Sequence, residues 1–210
     1  HFSQFVRDLI SNLKEKQQKV LLKRFGLSGR KRATLEAIGK EFSVTRERVR
    51  QIEASSLIKL RKLALLDHNR PTFEKVQQVL EYHGGVACED IFVQSFIPDY
   101  DEPRKEELIK LLRFILLLWS DIRSIEEGEH TKAGWAHTRY PHTLVDEVAQ
   151  AYAAILDTHG DVLTDEELIA RVKEHSVAEK HSDHINDTLL TSSIELARKL
   201  HKHENGARGL

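Results

Sequence analysis

The chain has 210 residues, 40% hydrophobic and 31% charged, with only 10 Gly and 4 Pro; this excludes an intrinsically disordered chain and favours helices over a turn-rich sheet architecture. The net charge of −1 hides a division. Residues 1–70 hold 17 Lys/Arg and 7 Asp/Glu, a net +10, whereas residues 71–210 hold 15 and 26, a net −11, so the first third suits a polyanion and the remainder repels one. The longest apolar run, Phe114 to Trp119, is too short to span a bilayer, and no signal peptide precedes the first domain. Cys88 is alone, which rules out an intrachain disulfide and fits a cytoplasmic setting. From a start at His1 with no Met anywhere, we expect the chain to be a fragment or to lack residues upstream.

In chain order, Phe5, Leu9, Leu13, Val20 and Leu21 recur at helical spacing and predict one or two amphipathic helices over 5–22. Gly26 and Gly29 punctuate a loop that continues into Arg30-Lys31-Arg32. Thr34 caps a short helix with Leu35, Ile38 and Phe42 on its apolar face; Ser43-Val44-Thr45 is a turn, and a long helix follows from about Arg46 to Leu63. Asn69-Arg70-Pro71 is the expected linker, since Pro resists helix continuation and the charge changes sign there. Beyond it a pattern occurs twice. Val79-Leu80-Glu81-Tyr82-His83-Gly84-Gly85-Val86 is echoed by Ile155-Leu156-Asp157-Thr158-His159-Gly160-Asp161-Val162. Each is an amphipathic helix closed by His-Gly and followed by an acidic helix start, and Thr164 to Glu167 fits a capping box. Polar, Gly-containing stretches, Glu127 to Trp135 and His203 to Leu210, close the two copies as candidate β-hairpin wings. The match suggests a duplicated unit of about 75 residues; the competing reading is two helices that merely share a Gly C-cap.

Function is concentrated in residues 34–53. On a helix turning about 100° per residue, Val49, Ile52, Ser56, Leu60 and Leu63 form one core stripe. Arg46, Glu47, Arg50 and Gln51 gather on a different face at the helix N-terminus, as a recognition helix requires. Arg bonds guanine O6 and N7, Gln pairs with adenine, and Glu accepts from cytosine N4. A Glu among arginines costs phosphate attraction, which favours base reading over a merely charged face. The competing reading is a solvated surface laced by internal Glu–Arg pairs.

Residues from about Leu9 to Leu63 resemble region 4 of the sigma-70 family of bacterial RNA polymerase subunits. The matching words are Lys23-Arg24-Phe25-Gly26-Leu27, Thr34-Leu35-Glu36, Ile38-Gly39 and Val44 through Ala54 (VTRERVRQIEA), closed by Leu60-Arg61. The resemblance implies recognition of a promoter −35 element. It places Arg46, Glu47, Arg50 and Gln51 on bases, Arg24, Thr34 and Arg48 on phosphates, and a further face on the flap of the polymerase β subunit. Two features depart from the family. Ser55 and Ser56 stand where it often has Lys and Ala, and the sigma regions that bind core polymerase and melt the −10 element are not in this chain. A sigma factor also ends soon after region 4, whereas this chain continues well past it. The duplicated tail resembles HARE-HTH winged helices, one of which forms the ordered part of the polymerase δ subunit; Gly134-Trp135 and Gly209-Leu210 then fall on equivalent wing strands, and the second copy stops in mid-strand.

The remaining constellations carry less. His181, Asp183, His184 and Asp187 read as solvated surface rather than a metal site, and His83 and His159 as helix-end residues interacting with the dipole. Trp119 reads as core and Trp135 as wing packing. No Walker loop, dinucleotide fingerprint or Ser/His/Asp arrangement occurs. The expected fold is mainly α: a helix-turn-helix domain (1–68) and two small winged-helix-like domains (72–140 and 143–210). The expected function is sequence-specific promoter binding coupled to RNA polymerase, by a non-enzymatic, cofactor-free, metal-free protein with no membrane association, located in the cytoplasm at the nucleoid. Two alternatives stand beside it: a δ-subunit-like interaction protein with weak DNA binding, and the DNA-targeting part of a nuclease.

Overall fold

The computed structural model describes residues 2–66, 69–96 and 102–210; the expected end of the first domain, at residue 68, lies outside them. In chain order the elements are α1 (Phe2–Ser11), α2 (Glu15–Phe25), α3 (Leu35–Glu41), α4 (Arg46–Ala64), α5 (Arg70–Tyr82), β1 (Val86–Cys88), α6 (Glu89–Gln94), α7 (Glu102–Leu118), β2 (Ile122–Ile125), β3 (Gly134–His137), α8 (Leu144–His159), α9 (Asp165–Lys173), α10 (Ser176–Lys180), α11 (Asp187–Leu196), β4 (His201–Lys202) and β5 (Arg208–Gly209). The fold is mainly helical, as composition and spacing required. No helix among the described residues is long and apolar enough to cross a membrane. Two compact units result. The first comprises His1–Lys75 with Ile97–Ser120, the second Val76–Phe96 with Asp121–Leu210.

In the first unit, Gly26 closes α2 in the left-handed conformation (φ +65°), and a Cβ there would lie 3.0 Å from the Arg30 carbonyl and the Arg32 amide. The chain then doubles back, with Ala33 N bonded to Lys23 O at 2.9 Å. α3 and α4 pack on α2 around Val20, Ile38, Val49 and Ile52, with Ala33, Leu35, Phe42 and Val44 against them. The predicted stripe on α4 is buried at Val49, Ile52, Ser56 and Leu60; the last buried position is Ala64, while Leu63 is half-buried. Ser56 meets burial by donating to Ile52 O at 2.6 Å. The expected linker is not open chain. Arg70 begins α5 and Pro71 sits in its first turn, where a missing N–H removes no helical hydrogen bond. Asn69 is buried and donates through Nδ2 to Leu63 O at 2.7 Å.

The second unit is built on α8, whose Leu144, Val145, Val148, Ala149, Tyr152 and Leu156 are buried. Tyr152 donates its hydroxyl to Leu190 O at 2.9 Å, and burial pushes its pKa up. Thr164 and Glu167 form the expected capping box of α9. The antiparallel sheet has order β1-β3-β2, and β4-β5 is a second hairpin to which Leu163 bridges through Arg208. The order helix, extended segment, helices, hairpin thus occurs twice along the chain, with the last strand in the middle each time. Gly134 lies in β3 and Gly209 in β5.

The segments that carry the two His-Gly patterns share one core. Val86, Cys88, Ile125, Ala136 and Tyr140 pack into the cluster that contains Leu168, Leu189, Ile194 and Leu196. Lys132 N bonds Leu196 O and Arg198 N bonds His130 O, both at 2.8 Å. The two His-Gly breaks consequently differ in what they support. A Cβ on Gly84 (φ +72°) would lie 2.5 Å from Leu189 N, whereas one on Gly160 (φ +74°) would meet nothing. Burial pushes the His83 imidazole pKa down, the opposite of what a charged partner for the helix dipole requires. His181 is likewise no surface residue: it is 6% exposed and bonded to Glu147 at 2.9 Å. No group of three or more His, Cys, Asp or Glu that could hold a metal occurs among the described residues. Trp135 is buried in β3, and Trp119 stacks on Phe73 with centroids 4.6 Å apart.

Candidate nucleic-acid interface

The helix-turn-helix is fixed by four local devices. Thr34 Oγ1 accepts from Ala37 N at 3.1 Å, capping α3. Gly39 lets the turn close, because a Cβ there would lie 2.7 Å from Val44 O; Val44 N in turn bonds Gly39 O at 2.9 Å. Ser43 takes the left-handed conformation (φ 52°) at the corner. Thr45 then caps α4 by accepting from Arg48 N at 3.1 Å. Sequence reasoning placed Ser43 to Thr45 as a turn but missed Thr45 as the cap that points the first turn of α4 outward. A Thr directly before a charged helix start is the signal that was available.

On that turn Arg46, Glu47, Arg48, Arg50 and Gln51 are all exposed, while Val49 and Ile52 between them are buried. The four expected base readers thus stand together on one open face, beside the positive end of the helix dipole. They also hold one another. Arg50 donates to both carboxylate oxygens of Glu47, at 2.8 and 2.7 Å; Gln51 Nε2 donates to Glu47 at 3.4 Å; and Arg48 donates to Gln51 Oε1 at 3.1 Å. The Arg50 hydrogen bonds push the Glu47 carboxyl below its ordinary range, and Glu47 pushes the Arg50 guanidinium up. Both partners are more than half exposed, at 61% and 56%, so the pair is weak and open to exchange for another ligand.

The three expected phosphate contacts are not alike. Arg48 is exposed near the helix start, and Thr34 is exposed with its hydroxyl proton still available to donate, since its cap bond uses the oxygen as acceptor. Arg24 is half-buried and occupied. Its Nε donates to Glu53 at 3.3 Å and its Nη1 to Ala33 O at 3.4 Å, tying α2 to α4 and to the returning loop. Sequence reasoning missed Glu53 as this anchor. Arg30, Lys31 and Arg32 lie exposed in the loop between α2 and α3, and add to the positive field of the unit.

Residues 9–62 match the family model of sigma-70, region 4. Similar proteins include the RNA polymerase sigma factor SigA of Clostridium acetobutylicum, 55% identical over 53 residues, and the RNA polymerase sigma factor SigA of a Bacillus species, 52% identical over 56 residues. These matches take in 25% and 27% of this chain, and 14% and 15% of those proteins. The chain therefore spans only a small part of the length of these relatives. Its N-terminal segment is a sigma-70 region 4 helix-turn-helix domain.

Proposed function

We propose that this chain is a sigma-like transcription regulator that reads a −35-type promoter element in duplex DNA with the first turns of α4 and contacts RNA polymerase. The observation that carries the reading is the outward face of Arg46, Glu47, Arg50 and Gln51 over a stripe buried at Val49 and Ile52. In the major groove an arginine binds guanine through two donors, Gln51 matches adenine, and Glu47 accepts from cytosine. The Glu47–Arg50 pair gives this mechanism a step: Arg50 exchanges a carboxylate for a base edge on binding. Arg48 and Thr34 hold flanking phosphates, and Arg24 joins them if it leaves Glu53. The matched relatives are sigma factors of RNA polymerase, which supports polymerase as the protein partner and the nucleoid, in the cytoplasm, as the place of action.

The acidic second unit is read as a tandem of HARE-HTH-like winged helices serving as a protein-binding body rather than a second DNA reader. The shared element order supports the repeat, and the outward residues of α11 support the role. Asp187, Thr188 and Thr191 are exposed there, and no Lys or Arg lies in the helix. No catalytic step is assigned to either unit.

The test is a selection from randomised duplexes. Glu47→Ala is expected to change the preferred base at one position, with roughly 1–3 kcal/mol of discrimination altered, while overall affinity rises because Arg50 is released. Gln51→Ala is expected to relax a different position, and Arg48→Ala to weaken all duplexes alike. Base preferences untouched by both Glu47→Ala and Gln51→Ala would refute this orientation of α4.

A further inference from the structure

The two halves of α4, a helix of 19 residues, are held by different parts of the first unit. Val49 and Ile52 seat the front half, which carries the reading face, on Val20 of α2 and Ile38 of α3. The back half is held elsewhere. Leu60 and Ala64 are buried outside that cluster, and two exposed cations tie the helix down. Lys59 Nζ donates to Asn12 O, just past the end of α1. Arg61 donates to Leu117 O of α7, through Nη2 at 3.2 Å and Nε at 3.4 Å. That carbonyl is among the last of α7, which have no partner inside the helix and carry the negative end of its dipole. A guanidinium answers both needs.

α7 is a firm anchor. Leu112, Phe114, Ile115 and Leu116 are at most 1% exposed. The helix packs on α1 and α4, and its Phe114 ring meets Phe25 of α2 with centroids 5.1 Å apart. It comes from residues 102–118, outside the segment 9–62 that matches sigma-70 region 4. Its hold on Arg61 makes α4 a lever. At 1.5 Å per residue, Arg61 lies about 13 Å behind Ile52, and Glu47 about 7 Å in front of it. A swing of about 1 Å at Arg61, pivoting on the buried Ile52, therefore moves Glu47 by about 0.5 Å. That is the tolerance within which a binding constellation has to be held.

We infer that Arg61 is a positioning residue for base reading: by holding the C-terminal end of α7 it fixes the back of α4, which makes α7 a working part of the DNA-reading head. This rests on the major-groove reading proposed above and adds how the reading face is aimed. Arg61 acts through α4 and not on DNA. Its loss therefore blurs the distinction between duplexes, whereas loss of a phosphate contact weakens all of them alike.

The experiment uses the full chain, a duplex selected for tight binding and a scrambled duplex of the same composition. Arg61→Ala removes the bonds to Leu117 O. Phe114→Leu loosens α7 against Phe25 while keeping an apolar side chain there, and circular dichroism checks that each variant is folded under the binding conditions. Each single variant is expected to lower the preference for the selected duplex about fivefold, the lower end of what one bidentate base contact is worth, with the salt dependence of binding unchanged. The double variant is expected to lose no more than the worse single one, because both act through the same seat. Equal losses on both duplexes in Arg61→Ala, with a salt slope shallower by about 0.9, would make Arg61 a phosphate contact and overturn the inference. Additive losses in the double variant, or a preference that Arg61→Ala leaves intact, would overturn it as well while leaving base reading by α4 standing. A selection that yields no preferred duplex for the parent chain would overturn the reading itself.

Discussion

Arg50 on α4 and Arg208 on β5 each hold carboxylates, and they do so to opposite ends. Arg50 is 61% exposed and grips a Glu47 that is 56% exposed. Arg208 is 5% exposed and is clamped between Asp165 and Glu195, with Nε to Asp165 at 2.8 Å. An exposed pair is worth little and can be traded for a phosphate or a base. A buried one cannot be broken without leaving charge stranded. The difference teaches how one chain divides its labour. In the basic unit Arg50 pairs with a neighbouring acid and stays exposed, whereas in the acidic unit Arg208 is built into the seam between α9, α11 and the β4–β5 hairpin.

The sharpest way to break that contrast is to remove Arg208. Arg208→Ala strands Asp165 and Glu195 beside a strand that bridges to Leu163 through the same residue. We expect a loss of about 1–3 kcal/mol from the second unit, since the Asp165 and Glu195 side chains left behind are 33% and 36% exposed and solvent screens them in part, while Arg50→Ala changes stability by less than about 1 kcal/mol. Denaturant melts of the full chain measure both. Similar losses for the two variants would show that exposure does not separate the roles of these arginines.

A smaller effect follows from pH. Glu147 on α8 accepts from Lys180 at 2.7 Å and bonds the buried His181 at 2.9 Å. These hydrogen bonds, Lys180's first, push its carboxyl down to about 2. A depressed carboxylate stabilises the folded state above its unfolded value and loses that contribution as pH falls through the folded one. The second unit should therefore weaken between about pH 4.5 and pH 2, by roughly 1–2 kcal/mol once the solvent screening of exposed Lys180 is allowed for. Glu147→Gln should remove this acid-dependent component and lower stability at neutral pH. An acid melt unchanged in the variant would show that the pair contributes nothing.

What was readable in advance follows the same divide. α4 was legible nearly to its last residue because one helix face is dictated by local periodicity, and the exposed cluster followed from the buried stripe. The capping box at Thr164 and Glu167 is equally local. Pro71 misled because proline has two meanings, helix breaker and first-turn residue, and neighbouring residues alone did not decide between them. His181 read as surface because its partner Glu147 is 34 residues away. α7 was visible only as an apolar run, since the face it covers lies on helices at the other end of the chain. The pairing of Glu47 with Arg50 was on the page as a spacing of three residues, but whether those side chains meet each other or the solvent depends on rotamers that a sequence does not state.

The finest distinction concerns Arg24, the expected phosphate contact that is held by a carboxylate. Its pair with Glu53 lies between the two extremes: the side chains are 25% and 17% exposed, less open than Arg50 and less buried than Arg208. If Arg24 is lent like Arg50, freeing it should cost the fold little and help DNA binding. Glu53→Gln keeps the size of the side chain and an acceptor oxygen while deleting the charge that competes with phosphate. We expect stability to fall by less than about 1 kcal/mol, and duplex affinity to rise for all sequences alike. The dependence of log affinity on log salt should steepen by up to about 0.9, the increment for one added phosphate contact. Arg24→Ala should leave that salt dependence unchanged, because in the parent the guanidinium is held by Glu53. An unchanged slope in Glu53→Gln, together with a loss of several kcal/mol of stability, would place Arg24 with Arg208, as a brace between α2 and α4 that never reaches DNA.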